Sequence, residues 1–554
     1  MGSGIAGRRL CRFLLIGLLL VGMWASVGLA EGPATKPAGA KKVKITISKA
    51  TTYLTGPVNE DGTVNYVAAI NEIYSKGVTR ENNAAILLLK AVGPEMIDAT
   101  VRGKVLEALG VDLPADGGYF MDLGDYVKAT MVRVPRSDLD EAPLSEPDIE
   151  ALDAARNKAI QQRDKAKAAQ WNAEDYPDIA GWLKANEKPL ELIVAASKRP
   201  RYCMPIVSSS QPPRMEYTSA FTSSHYLSPA YALIARAMLR LGEGDVQAAW
   251  EDVMTIHRLA RLIGQAPTLM DPLFAIQIED NAARAARAIA ASGKLSAEEL
   301  CRCLKDLQNL GALSGPADVV NLWERCMMLD CVMVFARQGG IKPSDILALT
   351  GDRREDLEEE TMPEALVDWD LILRMGNHWY DRYVKLMAER DPTRRSTLEE
   401  QFERDVANLS AEAPGGGAWE KLRSRMQLAV RSHEHKRRAV SEAIGELLVG
   451  ALMPGLGSIQ VLHDQAAVEL ALTEISFALA AYKKEKGAYP DALAALVPGR
   501  LKKLPPDVLS GEGFIYKRDA AGYLLYSIGK NRKDDGGKGK DVRGADDIAV
   551  QVTE

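Results

Sequence analysis

Histidines, aromatic side chains and net charge are all in short supply. The 554 residues include six histidines, aromatics make up 6%, and the formal net charge is -6, from 69 Lys and Arg against 75 Asp and Glu. A near-neutral balance over this length excludes a chain that grips nucleic acid through phosphate neutralisation, which takes a strong basic face. The histidines also assemble no catalytic or metal motif. His433 and His435 flank Glu434 in "RSHEHKRR"; on a helix their rings point to nearly opposite sides, so the stretch reads as a solvated polar face. His225 sits among hydroxyls in "TSSHYLS", and the chain has no GxSxG turn to expose a nucleophile. His257 lies within a helical pattern, where a histidine satisfied by packing is expected, and His378 and His463 stand alone. The glycine-rich "APGGGAW" and "MPGLGSI" lack the lysine and hydroxyl of a phosphate-binding loop, and "DLEEE" (356–360) reads as a solvated acidic run.

What is present favours a large helical protein. Hydrophobic residues make up 47% and charged residues 26%, ordinary globular values, and the length is too great for one core. Arg8, Arg9 and Arg12 precede an unbroken apolar run, "FLLIGLLLVGMW" (Phe13 to Trp24), and "GLA" ending at Ala30 puts small residues where signal peptidase cuts. Residues 1–30 are therefore expected to be an export signal or, if uncleaved, a membrane anchor, since roughly 18 apolar residues span a bilayer. Cys11 precedes the apolar run and so is not a lipoprotein cysteine. Five others follow: Cys203, Cys301, Cys303, Cys326 and Cys331. In an oxidising compartment one from "CRC" pairing with one from "CMMLDC" is the most plausible disulfide. A zinc site fares worse, because on a helix Cys301 and Cys303 point roughly 200° apart, and Cys326 and Cys331 roughly 140° apart. Buried free cysteines are the plainer reading.

Residues 31–50 form a Pro, Ala, Gly and Lys tether followed by strand-like alternation in "VKITIS" (Val43 to Ser48). Residues 51–412 are predominantly helical. In "TRENNAAILLLKAVGP" Thr79 reads as the helix cap and Gly93-Pro94 as the stop. Pro229 to Ile263 reads as a helical hairpin, "PAYALIARAMLRL" and "VQAAWEDVMTIHRLARLI" around a "GEGD" turn whose Asp245 can cap the second helix. The unit resembles one tetratricopeptide hairpin, without a second copy at a fixed period, so an irregular hairpin array is expected. Residues 413–462 hold a glycine-rich break and a long helix, whose apolar patch Ile444 to Leu452 is too short to span a membrane.

Residues 463–554 change character. A helix leads into "KGAYPDALAAL", "LKKLPPD", an aromatic strand "FIYKR", a second strand "GYLLYSIGKNRKDDGG" and a final "DDIAV". In this order the region resembles the soluble domain of the major pseudopilin of type II secretion, over about the last 90 residues. The resemblance implies an α+β unit, a helix laid against a small antiparallel sheet, with an acidic loop that commonly holds calcium. Here Asp534, Asp535, Asp541, Asp546 and Asp547 offer hard oxygens, and Lys538, Lys540 and Arg543 lie between them as competing cations. The N-terminal apolar run lacks the glutamate that a pseudopilin carries there, so the unit reads as a borrowed fold and not as a filament subunit. Taken whole, the chain resembles large exported bacterial proteins that pair a helical body with such a tail, through "WLKANEKPLELIVAASKRPRYCMPIV" (182–207) and the Trp250 hairpin. No activity comes with that likeness.

Two functions are expected. One is a non-catalytic binding or scaffolding protein of the bacterial cell envelope, whose helical body meets other envelope proteins and whose tail docks. The alternative is an envelope hydrolase with a cleft near His225, Arg199, Arg201 and Tyr202.

Overall fold

Several helices in this protein start where a side chain accepts from an otherwise unpaired backbone N–H. Asn65, Asn83, Asp245, Ser296, Asp368 and Ser432 each do so at a helix N-terminus, and Ser296 with Glu299 completes a reciprocal capping box. The computed structural model describes residues 42–132, 146–219, 222–342, 345, 362–411, 432–453, 457–519 and 522–553. The N-terminal apolar run with Cys11, the acidic run 356–360 and the break at 413–417 lie outside the described residues.

The body opens with α1 (Tyr66–Tyr74), α2 (Ala84–Val92), α3 (Arg102–Leu109), α4 (Leu123–Val132), α5 (Glu146–Ala168), α6 (Pro177–Ala185) and α7 (Glu187–Ser197). The expected hairpin follows as α8 (Leu227–Glu243) and α9 (Val246–Ile263), with Asp245 accepting from Ala248 N at 3.0 Å. Then come α10 (Met270–Ala291) and α11 (Ala297–Gln308). A short turn, Pro316–Val319, runs through a π-helical turn at Val320–Glu324 into α12 (Arg325–Gln338). A two-stranded pairing of β1 (Gly340–Ile341) with β2 (Met362–Pro363) precedes α13 (Trp369–Ala388), α14 (Pro392–Ala411), α15 (His433–Leu452) and α16 (Gly457–Lys486). The chain closes with β3 (Ile515–Asp519), β4 (Gly522–Ser527) and β5 (Ile548–Thr553), one antiparallel sheet in that order, with Leu525 opposite Tyr516 on one side and Val550 on the other. The protein is thus mainly helical with a small three-stranded sheet at its C-terminal end. No described helix is long and apolar enough to cross a membrane.

Two sequence expectations change. Among the described residues "VKITIS" pairs with no strand. Val43, Ile45 and Ile47 lie half-buried against the second core described below, held by Val43 N to Asp61 O at 3.0 Å and Thr46 N to Asp370 Oδ1 at 2.8 Å. The alternation therefore records a one-sided extended segment resting on helices. The cap of α2 is Asn83, not Thr79, because Asn83 Oδ1 reaches Ala85 N at 3.1 Å while Thr79 closes the preceding turn through Asn82.

Apolar side chains gather into two cores. The first joins α2 to α11 with the sheet, and the second joins α1 with α12 to α15. The five cysteines are free: Cys303 sits in the first core and Cys326 and Cys331 in the second, so the "CRC" and "CMMLDC" thiols are in separate interiors. Burial pushes the Cys303 thiol up to about 12 and those of Cys326 and Cys331 further, which keeps them protonated and unreactive.

Helix α16, 30 residues and about 45 Å long, enters both interiors. Ile459 is buried in the second core, whereas Val468, Leu472, Ile475, Phe477 and Leu479 are buried in the first. Phe477 meets Trp250 of the hairpin with ring centroids 5.3 Å apart. Arg287 of α10 pairs with Glu469 at 2.9 Å and donates to Thr473 Oγ1 at 2.9 Å, and Lys484 Nζ donates to Gly293 O at 2.8 Å. On its other flank α16 meets the sheet, where Tyr523 is buried against Tyr489. Replacing Phe477 by Ala removes the ring that joins tail to hairpin, and is expected to lower stability by about 3–5 kcal/mol in equilibrium denaturation. A loss below about 1 kcal/mol would mean that the contact holds nothing together.

Candidate functional site

Strand β4 runs into the acidic loop, and the geometry there requires glycine. Gly529 has φ +67°, and a Cβ on it would lie 2.2 Å from Asp546 Oδ1. The tight turn lets the two ends of the loop face each other. Asp546 Oδ2 accepts from Lys530 N and Asn531 N, each at 3.1 Å, and Asp547 Oδ2 accepts from Asp535 N at 3.1 Å and Gly537 N at 2.8 Å. Asn531 Nδ2 donates to Asp535 Oδ2 at 3.1 Å and to Gly544 O at 3.2 Å, closing the loop from within.

The structure gathers three of the five acids. Asp535, Asp546 and Asp547 bring one carboxylate oxygen each within 4.8 Å of the others. That spread suits one cation contacting all three at about 2.3–2.6 Å. Asp547 is 4% exposed, and its Oδ1, like Asp546 Oδ1, is buried without a hydrogen-bond partner among the described residues. Burial and the neighbouring Asp535 and Asp534 charges push the Asp547 carboxyl up, although Gly537 N and Asp535 N donate to it. A bound cation would satisfy both orphaned oxygens and relieve that repulsion. The donor set therefore fits a hard divalent ion such as calcium.

Asp534 and Asp541 lie outside this cluster. Asp534 is exposed and accepts from Tyr526 Oη at 2.8 Å and Gly536 N at 2.9 Å, which hold its carboxyl below the usual range. Asp541 is exposed further along the loop. Of the cations between the acids, neither Lys538 nor Arg543 forms an ion pair with the three clustered carboxylates among the described residues. The loop is braced from outside by Lys530 Nζ on Glu399 at 2.9 Å and by Arg532 Nη1 on Thr393 Oγ1 at 2.8 Å.

The residues expected around a hydrolase cleft come to one region without forming a catalytic set. Arg199 donates to the carbonyls of Arg80 at 3.0 Å and Asn83 at 2.7 Å, clamping the chain before α2. Tyr202 is buried with its hydroxyl 3.3 Å from that of Tyr226. Ser223 donates its hydroxyl to Asp271, a buried carboxyl that burial raises to about 6. His225 is exposed, with no carboxylate within hydrogen-bond reach of its ring among the described residues. His433 and His435 are exposed on the first turn of α15, where His435 Nδ1 lies 2.8 Å from Ser432 Oγ.

His257 is the histidine that the sequence undersold. It is fully buried, with Nδ1 2.9 Å from Glu279 Oε2 and Nε2 unpartnered among the described residues. Arg261 Nη1 reaches the same carboxylate at 2.8 Å. Burial works to raise the Glu279 carboxyl, but His257 and Arg261 outweigh it and hold it at about 2. The partners lie on α9 and α10, 22 residues apart for His257 and Glu279, so no local pattern announces them.

Comparisons with protein-family models, curated proteins and solved structures return no match to this chain.

The Glu279 network makes a pH-dependent contribution of known sign. Its carboxyl is depressed from 4.5 in the unfolded chain to about 2, so the stabilisation is complete above pH 4.5 and is lost as pH falls through the folded value. Glu279→Gln is expected to cost about 3 kcal/mol at pH 7. Urea melts of both proteins at a series of pH values should show that gap closing between pH 4.5 and about 2. A gap that does not change with pH would contradict the assignment.

Proposed function

We propose that the chain is a non-catalytic binding and scaffolding protein of the bacterial cell envelope, in which the helical body engages other proteins and the C-terminal unit docks to envelope components. The observation that carries this reading is the placement of α16. Because its side chains lie in both cores, the sheet and the acidic loop are mounted on the body and not tethered beside it. Such an arrangement suits a surface that must be presented at a fixed geometry. Export rests on the arginines and apolar run of the first 30 residues. The helix and three antiparallel strands support the likeness to a pseudopilin soluble domain, and the α8–α9 hairpin supports a tetratricopeptide-like element in the body.

Calcium completes the docking loop in this account, with Asp535, Asp546 and Asp547 as its carboxylate ligands. It supplies charge neutralisation only, drawing the two loop ends together so that the exposed Val542, at 47%, sits on an ordered surface. The hydrolase reading has less support, because Ser223 gives its hydroxyl to Asp271 and Arg199 is committed to backbone carbonyls.

One experiment with two readings tests the proposal. Calcium at about a hundredfold excess over its dissociation constant should stabilise the full chain by about 2.7 kcal/mol, and Asp547→Asn should abolish the effect. A photocrosslinker placed at Val542 in exporting cells should then give adducts with envelope proteins that disappear with a chelator or with Asp547→Asn. No calcium effect on melting sinks the metal site, and adducts that ignore calcium sink the docking role.

A further inference from the structure

A cavity of about 410 Å³ lies along the seam between the two cores. It is lined by Tyr74 at the end of α1, by Pro200, Arg201 and Tyr202, by Gly264 to Ala266, and by Ser314, Gly315, Asp318 and Val319. Tyr202 and Ala266 belong to the first core and Val319 to the second, with Tyr74 packed against the second. Ligand cavities favour such junctions, where two packed units leave space that neither fills.

The wall is a built one. Gln265 fixes it from both sides, taking Tyr202 N on its Oε1 and donating Nε2 to Pro200 O, each at 3.1 Å. Arg201 is pinned by its backbone, with N donating to Asn82 O at 3.2 Å and O accepting from Ala84 N at 2.7 Å. Its side chain is free of such duties. Arg201 Nε is buried and unpartnered, and no described residue forms an ion pair with its guanidinium or with the Asp318 carboxylate. The lining thus holds one residue of each charge, Arg201 and the exposed Asp318, that are not paired with each other. Tyr74 also lines the cavity, its phenol pushed up by burial and by the Asp271 and Asp318 carboxylates, and offers a hydroxyl donor.

We propose that this cavity is a binding site for a small zwitterion of amino-acid or dipeptide size, with Arg201 taking its carboxylate and Asp318 its ammonium group. A guanidinium binds a carboxylate through paired N–H donors, and that of Arg201 is engaged by no ion pair among the described residues. The carboxylate of Asp318 in the same lining rejects simple dianions and selects a ligand that also carries a positive end. Unlike the docking role, this site draws on none of the acidic-loop residues, so each claim can fail alone.

The test is calorimetric titration of the full chain with each of the protein amino acids and with dialanine at millimolar concentration, repeated with N-acetylated and C-amidated forms of any that bind. At least one zwitterion should bind with one site per chain, and each capped form should bind about tenfold or more weakly. Arg201→Gln should erase the difference between acid and amide, and Asp318→Asn the difference between free and acetylated amine. Because the capped ligands probe the wild-type protein, the outcome does not hang on either variant folding. Absence of binding across the panel, or capped forms that bind as well as free ones, would overturn the assignment.

Discussion

The burial of one helix in two interiors is the constraint on which the rest of this molecule depends. Ile459 of α16 cannot leave the second core, nor Phe477 the first, without exposing a large apolar side chain. Everything carried on α16 inherits that restraint. The sheet packs on its flank through Tyr523, and the acidic loop grows from the end of β4, the central strand. Helix α10 repeats the device on a smaller scale, with Leu273 in the second core and Ala275 and Ile278 in the first. Two helices shared between interiors make the seam between them a fixed feature, and the cavity beside Arg201 a fixed cavity.

Charge is treated differently at the joints and at the loop. Between α8, α9 and α10 two buried acids have guanidinium partners: Asp252 takes Arg236 at 2.6 Å and Arg240 at 2.8 Å, and Glu279 takes Arg261 at 2.8 Å. Such networks contribute little net stability, yet removing one member strands a charge, so they select one register of the helices. In the loop three carboxylates converge with two oxygens left unpartnered, and backbone N–H groups supply the hydrogen bonds in place of a cation. The contrast sets the loop apart from structural ion pairing elsewhere in the chain.

Much of the local architecture was legible in the sequence. The α8–α9 hairpin with its Asp245 cap and the order of helix and strands in the tail follow from apolar spacing and turn chemistry, which act over a few residues. What escaped depends on contacts between distant positions. Nothing near Phe477 or Trp250 in the sequence says that they touch, and the alternation in "VKITIS" cannot tell a strand from an extended segment lying on helices. The candidate site was half legible. Five aspartates were visible as a loop, but only the fold sorts Asp535, Asp546 and Asp547 from the exposed Asp534 and Asp541. Arg201 stood out as a basic residue in a helical cleft, whereas Asp318, more than a hundred residues further on, gave no sign of sharing its cavity.

Native-state hydrogen exchange on the full chain tests the central claim, that the tail is mounted through α16 and not hung beside the body. Amides of α16 between Val468 and Ala481 should open with the same free energy as those of α9 and α10, as one cooperative unit. Exchange of α16 together with β3 to β5 while α9 and α10 stay protected would contradict it, and would return the tail to the status of an independent domain.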